Sequence, residues 1–313
     1  MLQATESLIP IILLVGLGTL LFKVGFITSE SRAGMDKFTY WVALPSLFIH
    51  QLSDTDFQGL ETGGLLMVLA IAIVATALLA TAVGFLLRLD ADRIGVFVQV
   101  GFRGNMAFVG LPLIIFALQG NSDSERLVAS ALIALAAMVP LNNLLAVMAL
   151  VMARHGLSWA VLGKLIKKVL FNPLIISAVL GSLLGWFNLA LPVVIDRPFE
   201  LLGQTALALA LVSLGGALIE LEMRGRVGLA TTAGTFKVVA VPLVTYGIAL
   251  LWGLPAEQTF IVMIFAACPA ATASYILTTQ IGGDDALAAA SIVVSTFLSF
   301  AALAVVLVFV PAV

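Results

Sequence analysis

About ten stretches of this chain are long enough and apolar enough to cross a bilayer, and they leave room for little else. A spanning helix needs about 20 predominantly apolar residues. Segments 6–27, 36–52, 62–87, 94–118, 126–152, 169–187, 198–219, 228–252, 257–280 and 286–310 meet that need, the second being short and interrupted by Pro45. Several joins are tight, as in LDADR (89–93), GLPAEQ (253–258) and IGGDD (281–285). Only 10% of the 313 residues are charged, against about a quarter in a soluble domain. A solvated surface cannot be built from so few charges, and the expected fold class is an all-α polytopic membrane protein of about ten helices.

The few charges orient the spans. An even number of spans puts both termini on one side. Lys23, Arg32, Lys37, Arg88, Arg93, Arg154, Lys164, Lys167, Lys168, Arg224 and Arg226 then share one set of loops, and only Arg126 and Arg197 lie in the other. Basic loops mark the cytoplasmic side, so both termini are expected outside, most simply at a bacterial inner membrane. The first apolar run follows Glu6 and no basic residue, which suits a retained span better than a signal peptide.

Composition also excludes. The net charge of −2 gives no footing for nucleic acid. One cysteine, Cys268, forms no intrachain disulfide, and His50 and His155 make no ligand pattern, so neither metal nor cofactor is expected. An intramembrane enzyme would need paired aspartates, a Ser–His pair or an HExxH run inside spans, and a receptor would bring a soluble output domain; none is present. All 17 carboxylates fall at span ends or in loops. A coupling-ion site built on a buried acid is therefore not visible.

The fourth span carries FRGNMAFVGLP (102–112), a polar and glycine-rich stretch at its centre. The ninth carries ACPAATAS (267–274). Sliding one by about 165 residues sets Gly104-Asn105 against Pro269-Ala270 and aligns the polar turns at about 120–125 and 282–285. This predicts an inverted repeat of five plus five spans, with residues 1–152 as one half, 153–168 as a short linker and 169–313 as the other. Gly104 loosens its helix, and Pro269 removes an amide and clashes with the turn before it. Broken helices survive at membrane depth only where they are buried in protein or line a wet cavity. Half-helices starting near Asn105 and Ala270 aim their positive ends at the centre, which forecasts a site for an anion, most simply a carboxylate. The expected binding set is Arg103, Gly104, Asn105, Asn142, Asn143, Pro269, Ala270 and Thr272, with Gly104, Gly110, Pro112 and Pro269 as hinges.

Each residue also has a structural reading. Arg103 either reaches substrate, or snorkels to the cytoplasmic face or caps backbone carbonyls. Lys237 reads first as a snorkeller and second as a further positive charge at the site, and His50 reads first as an interfacial residue and second as a site residue. Asn142 and Asn143 either bond between helices or line the cavity. Pro45, Pro140, Pro173 and Pro242 read as kinks, and Gly16, Gly18, Gly25, Gly181 and Gly185 as helix-packing contacts.

Six segments in order make the chain resemble the auxin efflux carrier family, a group of plant and bacterial organic-anion carriers. They are ALPSLFIH (43–50), FRGNMAFVGLPL (102–113), FNPLIISAVLG (171–181), LVSLGGAL (211–218), FKVVAVPL (236–243) and the run from Ala267 to Ser299. The resemblance implies a fold like that of the bile acid–sodium symporters. Spans 1, 2, 6 and 7 would form a scaffold, and spans 3–5 and 8–10 a transport domain with the fourth and ninth crossing. The family's asparagine after the first crossing matches Asn105 and its crossing proline matches Pro269, while Gly104 stands where plant members tend to have proline. A homodimer through the scaffold helices is a further implication. The expected function is elevator-type carriage of a small organic anion, favouring efflux. The alternative is a sodium- or proton-coupled importer of the bile acid type.

Overall fold

The computed structural model describes residues 2–57, 60–120, 123–155, 171–189, 191–221 and 227–310. Most of the linker expected at 153–168 lies outside these residues, as do Lys164, Lys167, Lys168, Arg224 and Arg226. Among the described residues, helices and turns account for the fold, and the only bridge is an isolated one. The helices are α1 (Leu2–Lys23), α2 (Ser29–Phe38), α3 (Leu44–Ser53), α4 (Gly63–Leu86), α5 (Ala91–Phe102), α6 (Leu111–Ala117) and α7 (Ser124–His155). Then follow α8 (Pro173–Trp186), α9 (Val193–Glu220), α10 (Val227–Thr235), α11 (Val241–Trp252), α12 (Ala256–Ala267), α13 (Ala273–Ile281) and α14 (Asp285–Phe309). Five stretches, Gly63–Leu86, Ser124–Arg154, Val193–Glu220, Val227–Trp252 and Asp285–Phe309, are each long and apolar enough to cross a membrane alone. Side chains such as Leu13, Leu78, Leu251 and Phe309 leave their apolar surface on the outside. That surface belongs in lipid, and the chain is an all-α polytopic membrane protein.

Three prolines shape the interior differently from simple kinks. Thr39–Ala43, Met106–Gly110 and Phe236–Ala240 are π turns, each running straight into Leu44-Pro45, Leu111-Pro112 or Val241-Pro242. A proline ring in a regular helix collides with the carbonyl four residues back. The wider turn removes that collision. The residue before each proline instead donates five residues back, Leu44 to Thr39, Leu111 to Met106 and Val241 to Phe236. The second segment is consequently one bent helical unit over 29–53, longer than the expected 36–52. Its polar start at Ser29 is capped by Thr28, which hid it from an apolar count. Pro173 makes no kink either: it opens α8, where Asn172 caps the amide of Leu174 at 2.9 Å.

The helices sort into two packed groups. α1 lies along α9, and α3 lies along both α8 and α9. In the other group α4 packs on α5, α7 and α11, α5 on α7 and α14, and α10 and α12 on α14. Glycine makes the first group possible. A Cβ on Gly18 would lie 2.0 Å from the Val212 oxygen, and one on Gly215 would lie 2.0 Å from the Val15 oxygen. Gly181 and Gly185 are pressed in the same way onto the α3 backbone at Phe48 and Leu52. Small residues drive helix association in lipid because they let backbones touch. Gly16 and Gly25 do not share that role: a Cβ on either would meet no other helix within 4 Å among the described residues, and Gly25 has φ +78° in the turn after α1.

This packing predicts that Gly215→Ala is strongly destabilising while Gly16→Ala is not. Overpacking of this kind costs about 1–3 kcal/mol. Thermal melting of the purified protein reads the difference. Equal melting of the two variants would show that α1 and α9 do not meet as described.

Candidate functional site at a crossing of two broken helices

The helix begun by α5 stops at Phe102. Arg103 is extended (φ −80°, ψ 98°), Asn105 is non-helical (φ −81°, ψ 61°), and helical geometry resumes at Met106. The helix begun by α12 stops at Ala267, and Cys268 turns extended (φ −56°, ψ 146°). Pro269 dictates this second break, because a residue before proline is pushed out of the α region. α13 starts at Ala273, a few residues later than the start near Ala270 expected from sequence.

The two breaks solve each other's hydrogen-bonding problem. They run antiparallel, with Gly104 paired to Ala270. The Asn105 amide donates to the Pro269 oxygen at 2.8 Å, and the Ala271 amide donates to the Arg103 oxygen at 3.0 Å. The Ala270 amide donates to Ser295 Oγ of α14 at 3.0 Å. Close approach requires the glycines here. A Cβ on Gly104 would stand 3.2 Å from the Phe265 oxygen, and one on Gly110 2.7 Å from the Phe265 ring and 2.9 Å from Cys268 Sγ.

In front of the crossing lies a cavity of about 370 Å³. Arg103, Gly104, Asn105, Asn142, Asn143 and Thr272 line it, together with Tyr40, Trp41, Phe108 and Ile276, and Asp36 and Lys37 also border it. That size suits a small molecule. The starts of both second half-helices, Met106 and Ala273, border the same space. Arg103 is only 7% exposed. Its Nη2 donates to Asn143 Oδ1 at 2.5 Å, and Nη1 makes a long contact of 3.5 Å with Ser274 Oγ. Among the described residues no carboxylate pairs with it. Asn105 Nδ2 and Asn142 Oδ1 are buried without a hydrogen-bond partner among the described residues. Buried polar atoms are nearly always partnered, so these two orphans set Asn105 and Asn142 apart from the other polar residues that line the cavity.

The structure divides the sequence-derived set. Arg103, Gly104, Asn105, Asn142, Asn143 and Thr272 meet at the cavity. Pro269 and Ala270 stand behind it and lend backbone to the crossing, while Gly110 and Pro112 brace the second half-helix. The snorkelling readings of Arg103 and Lys237 fail. Lys237 is fully buried and donates to the Ala266 oxygen at 2.6 Å, at the end of α12, because it stands on the side of its π turn that faces the protein, with Val239 on the exposed side. His50 is remote from the cavity: its Nδ1 lies 2.7 Å from Asp196 Oδ1, joining α3 to α9. Sequence reasoning missed Tyr40, Trp41 and Ser295. Tyr40 and Trp41 carry no polar signal within an apolar run. Ser295 does, since Ser291, Ser295 and Ser299 stand at i, i+4 and i+8 and form a polar stripe on α14.

The comparisons with known proteins agree with this architecture. The family described as "Membrane transport protein" matches residues 3–307. An "Uncharacterized transporter" of Methanothermobacter thermautotrophicus is 23% identical over 304 residues, covering 96% of each chain. A "Putative malonate transporter" of Rhizobium meliloti is 23% identical over 309 residues, covering 96% of this chain and 94% of its own. The likeness is to transporters and not to enzymes. With almost its whole length matched, this chain belongs to the membrane transport protein family.

Proposed function

We propose that the chain is a secondary carrier for a small organic anion, most simply a carboxylate, and that the cavity before the crossing is its binding site. One observation carries the reading: Arg103 is a buried guanidinium with no described acidic partner, on the wall of a cavity that also receives two helix amino ends. A buried charge without a counter-charge is unfavourable. A carboxylate there would neutralise Arg103, accept from Asn105 Nδ2 and lie against the positive ends of two half-helices. Malonate, which the Rhizobium meliloti relative's name mentions, is the natural first probe.

Motion follows from the two helix groups. α1, α2–α3, α8 and α9 act as the scaffold, and the remaining helices carry the site as a transport domain that slides against it. The packing supports a five-plus-five inverted repeat, because α1 on α9 and α8 on α3 are equivalent contacts when the halves are exchanged. Asp36 and Lys37 border the cavity, and the basic loops assign their end of the helix to the cytoplasm, which supports reading this conformation as inward-facing. Efflux is the favoured direction. Moving one negative charge outward across 100 mV releases about 2.3 kcal/mol.

Purified protein is expected to melt at higher temperature with malonate or a related mono- or dicarboxylate. Asn105→Ala should abolish the shift. Arg103→Gln should weaken binding about ten- to a hundredfold, the worth of a charged hydrogen bond. A shift absent for every carboxylate, or unchanged in both folded variants, removes the anion reading. The sliding motion has its own test in liposomes at inside-negative potential. A cysteine pair across the α1–α6 contact, in a Cys268→Ala background, should stop outward malonate flux once oxidised and leave the melting shift intact. Undiminished flux after cross-linking rejects sliding at that contact.

A further inference from the structure

The crossing has a second face. While amino ends of half-helices meet at the cavity, the carboxyl end of α12 meets the opposite side of the break. Such an end carries roughly half a negative charge. In carriers built from broken helices, these carbonyl ends and unwound segments are where a coupling cation sits. Here the place is taken by a side chain. Lys237, on the π turn ahead of Pro242, is fully buried and donates from Nζ to the Ala266 oxygen at 2.6 Å. A Cβ on Gly104 would lie 3.5 Å from that Nζ, so the ammonium also rests against the first break.

Beside it is a void of about 20 Å³ bordered by Gly104, Met106, Asn142, Lys237, Thr245 and Ala266. Asn142 is 3% exposed, and its Oδ1 has no hydrogen-bond partner among the described residues. The rest of the border is apolar, with Leu69, Ile73 and Phe265 among it, so the polar groups beside the ammonium are the neutral oxygens of Ala266, Asn142 and Thr245. Gly104, Met106 and Asn142 also line the large cavity, so the two spaces share a wall.

We infer that Lys237 is a tethered counter-cation that fills the coupling-ion position of the crossing, so that the carrier works without sodium or potassium. The ammonium moves with its own helix and is never released. It supplies the charge that an exchangeable ion would otherwise bring, and only the substrate's charge crosses per cycle. Lys237 touches no substrate; it positions the crossing from behind. The consequence for coupling rests on the anion-carrier reading, but the stability test below needs no carboxylate, so the two fail separately.

The test compares melting temperatures in choline, sodium and propylammonium chloride at equal ionic strength. Wild type should melt alike in sodium and choline. Lys237→Ala should melt lower in choline and recover, saturably, with sodium or with propylammonium, which restores the missing stem and charge. Lys237→Met, which fills the space without the charge, should be less stable than wild type and gain nothing from either cation. A general structural role would not produce cation-specific recovery in the alanine variant alone. The inference is overturned if Lys237→Ala responds to no cation, or if Lys237→Met is as stable as wild type. Sodium-dependent melting of the wild type overturns it whether or not a variant folds.

Discussion

Two reciprocal hydrogen bonds hold this architecture together. They run from the Asn105 amide to the Pro269 oxygen and from the Ala271 amide to the Arg103 oxygen. Lipid offers no water to satisfy a broken helix, and each unmet backbone group there costs several kcal/mol. Neither break is viable alone. Together they form a two-residue antiparallel contact whose outer rim is finished by Ser295 on the Ala270 amide. Once the chain is opened in this way, four helix ends point at one region. Their partial charges, positive at the starts of the second half-helices and negative at the ends of the first, are what the proposed anion site and the proposed role of Lys237 rest on.

The surrounding helices are arranged to make that contact possible. Gly104 and Gly110 let the two broken helices approach within backbone distance. The π turns ahead of Pro45, Pro112 and Pro242 bring Tyr40, Met106 and Lys237 to the crossing from three directions. The peripheral group of α1, α3, α8 and α9 is joined through Gly18, Gly181, Gly185 and Gly215. Polar latches then fix the ends: Arg93 reaches Asp284 at 3.2 Å, and the Asp284 amide donates to the Asp92 oxygen at 2.9 Å. These latches stand at helix ends, and the ion pair among them is only partly buried, so it contributes little to stability. What they set is the relative height of the fourth and ninth segments.

Much of this was legible in the sequence, for identifiable reasons. An arginine, an asparagine and two glycines inside an apolar run contradict an ordinary span, and so does Pro269 in another. Their common spacing located both breaks and set Gly104-Asn105 against Pro269-Ala270. Lys237 was misread because a lone lysine inside an apolar segment reads first as one that snorkels, and only the tertiary fold shows α12 ending beside it. The extent of the second segment was misread because residues 29–35 are polar and helical at once. Tyr40 and Trp41 were invisible, since an aromatic residue that lines a cavity looks in sequence like one that faces lipid. The orphaned amide atoms of Asn105 and Asn142 are a property of three-dimensional packing alone.

If the carrier works as proposed, a carboxylate binds in front of the crossing. The most direct test is a crystal structure with bromomalonate, located by the anomalous signal of bromine. One strong peak is expected inside the cavity bounded by Arg103, Asn105, Asn142 and Thr272, with a carboxylate within hydrogen-bond distance of Asn105 Nδ2 and the Arg103 guanidinium. A peak elsewhere in the molecule, with that cavity free of the ligand at saturating concentration, would contradict the proposal.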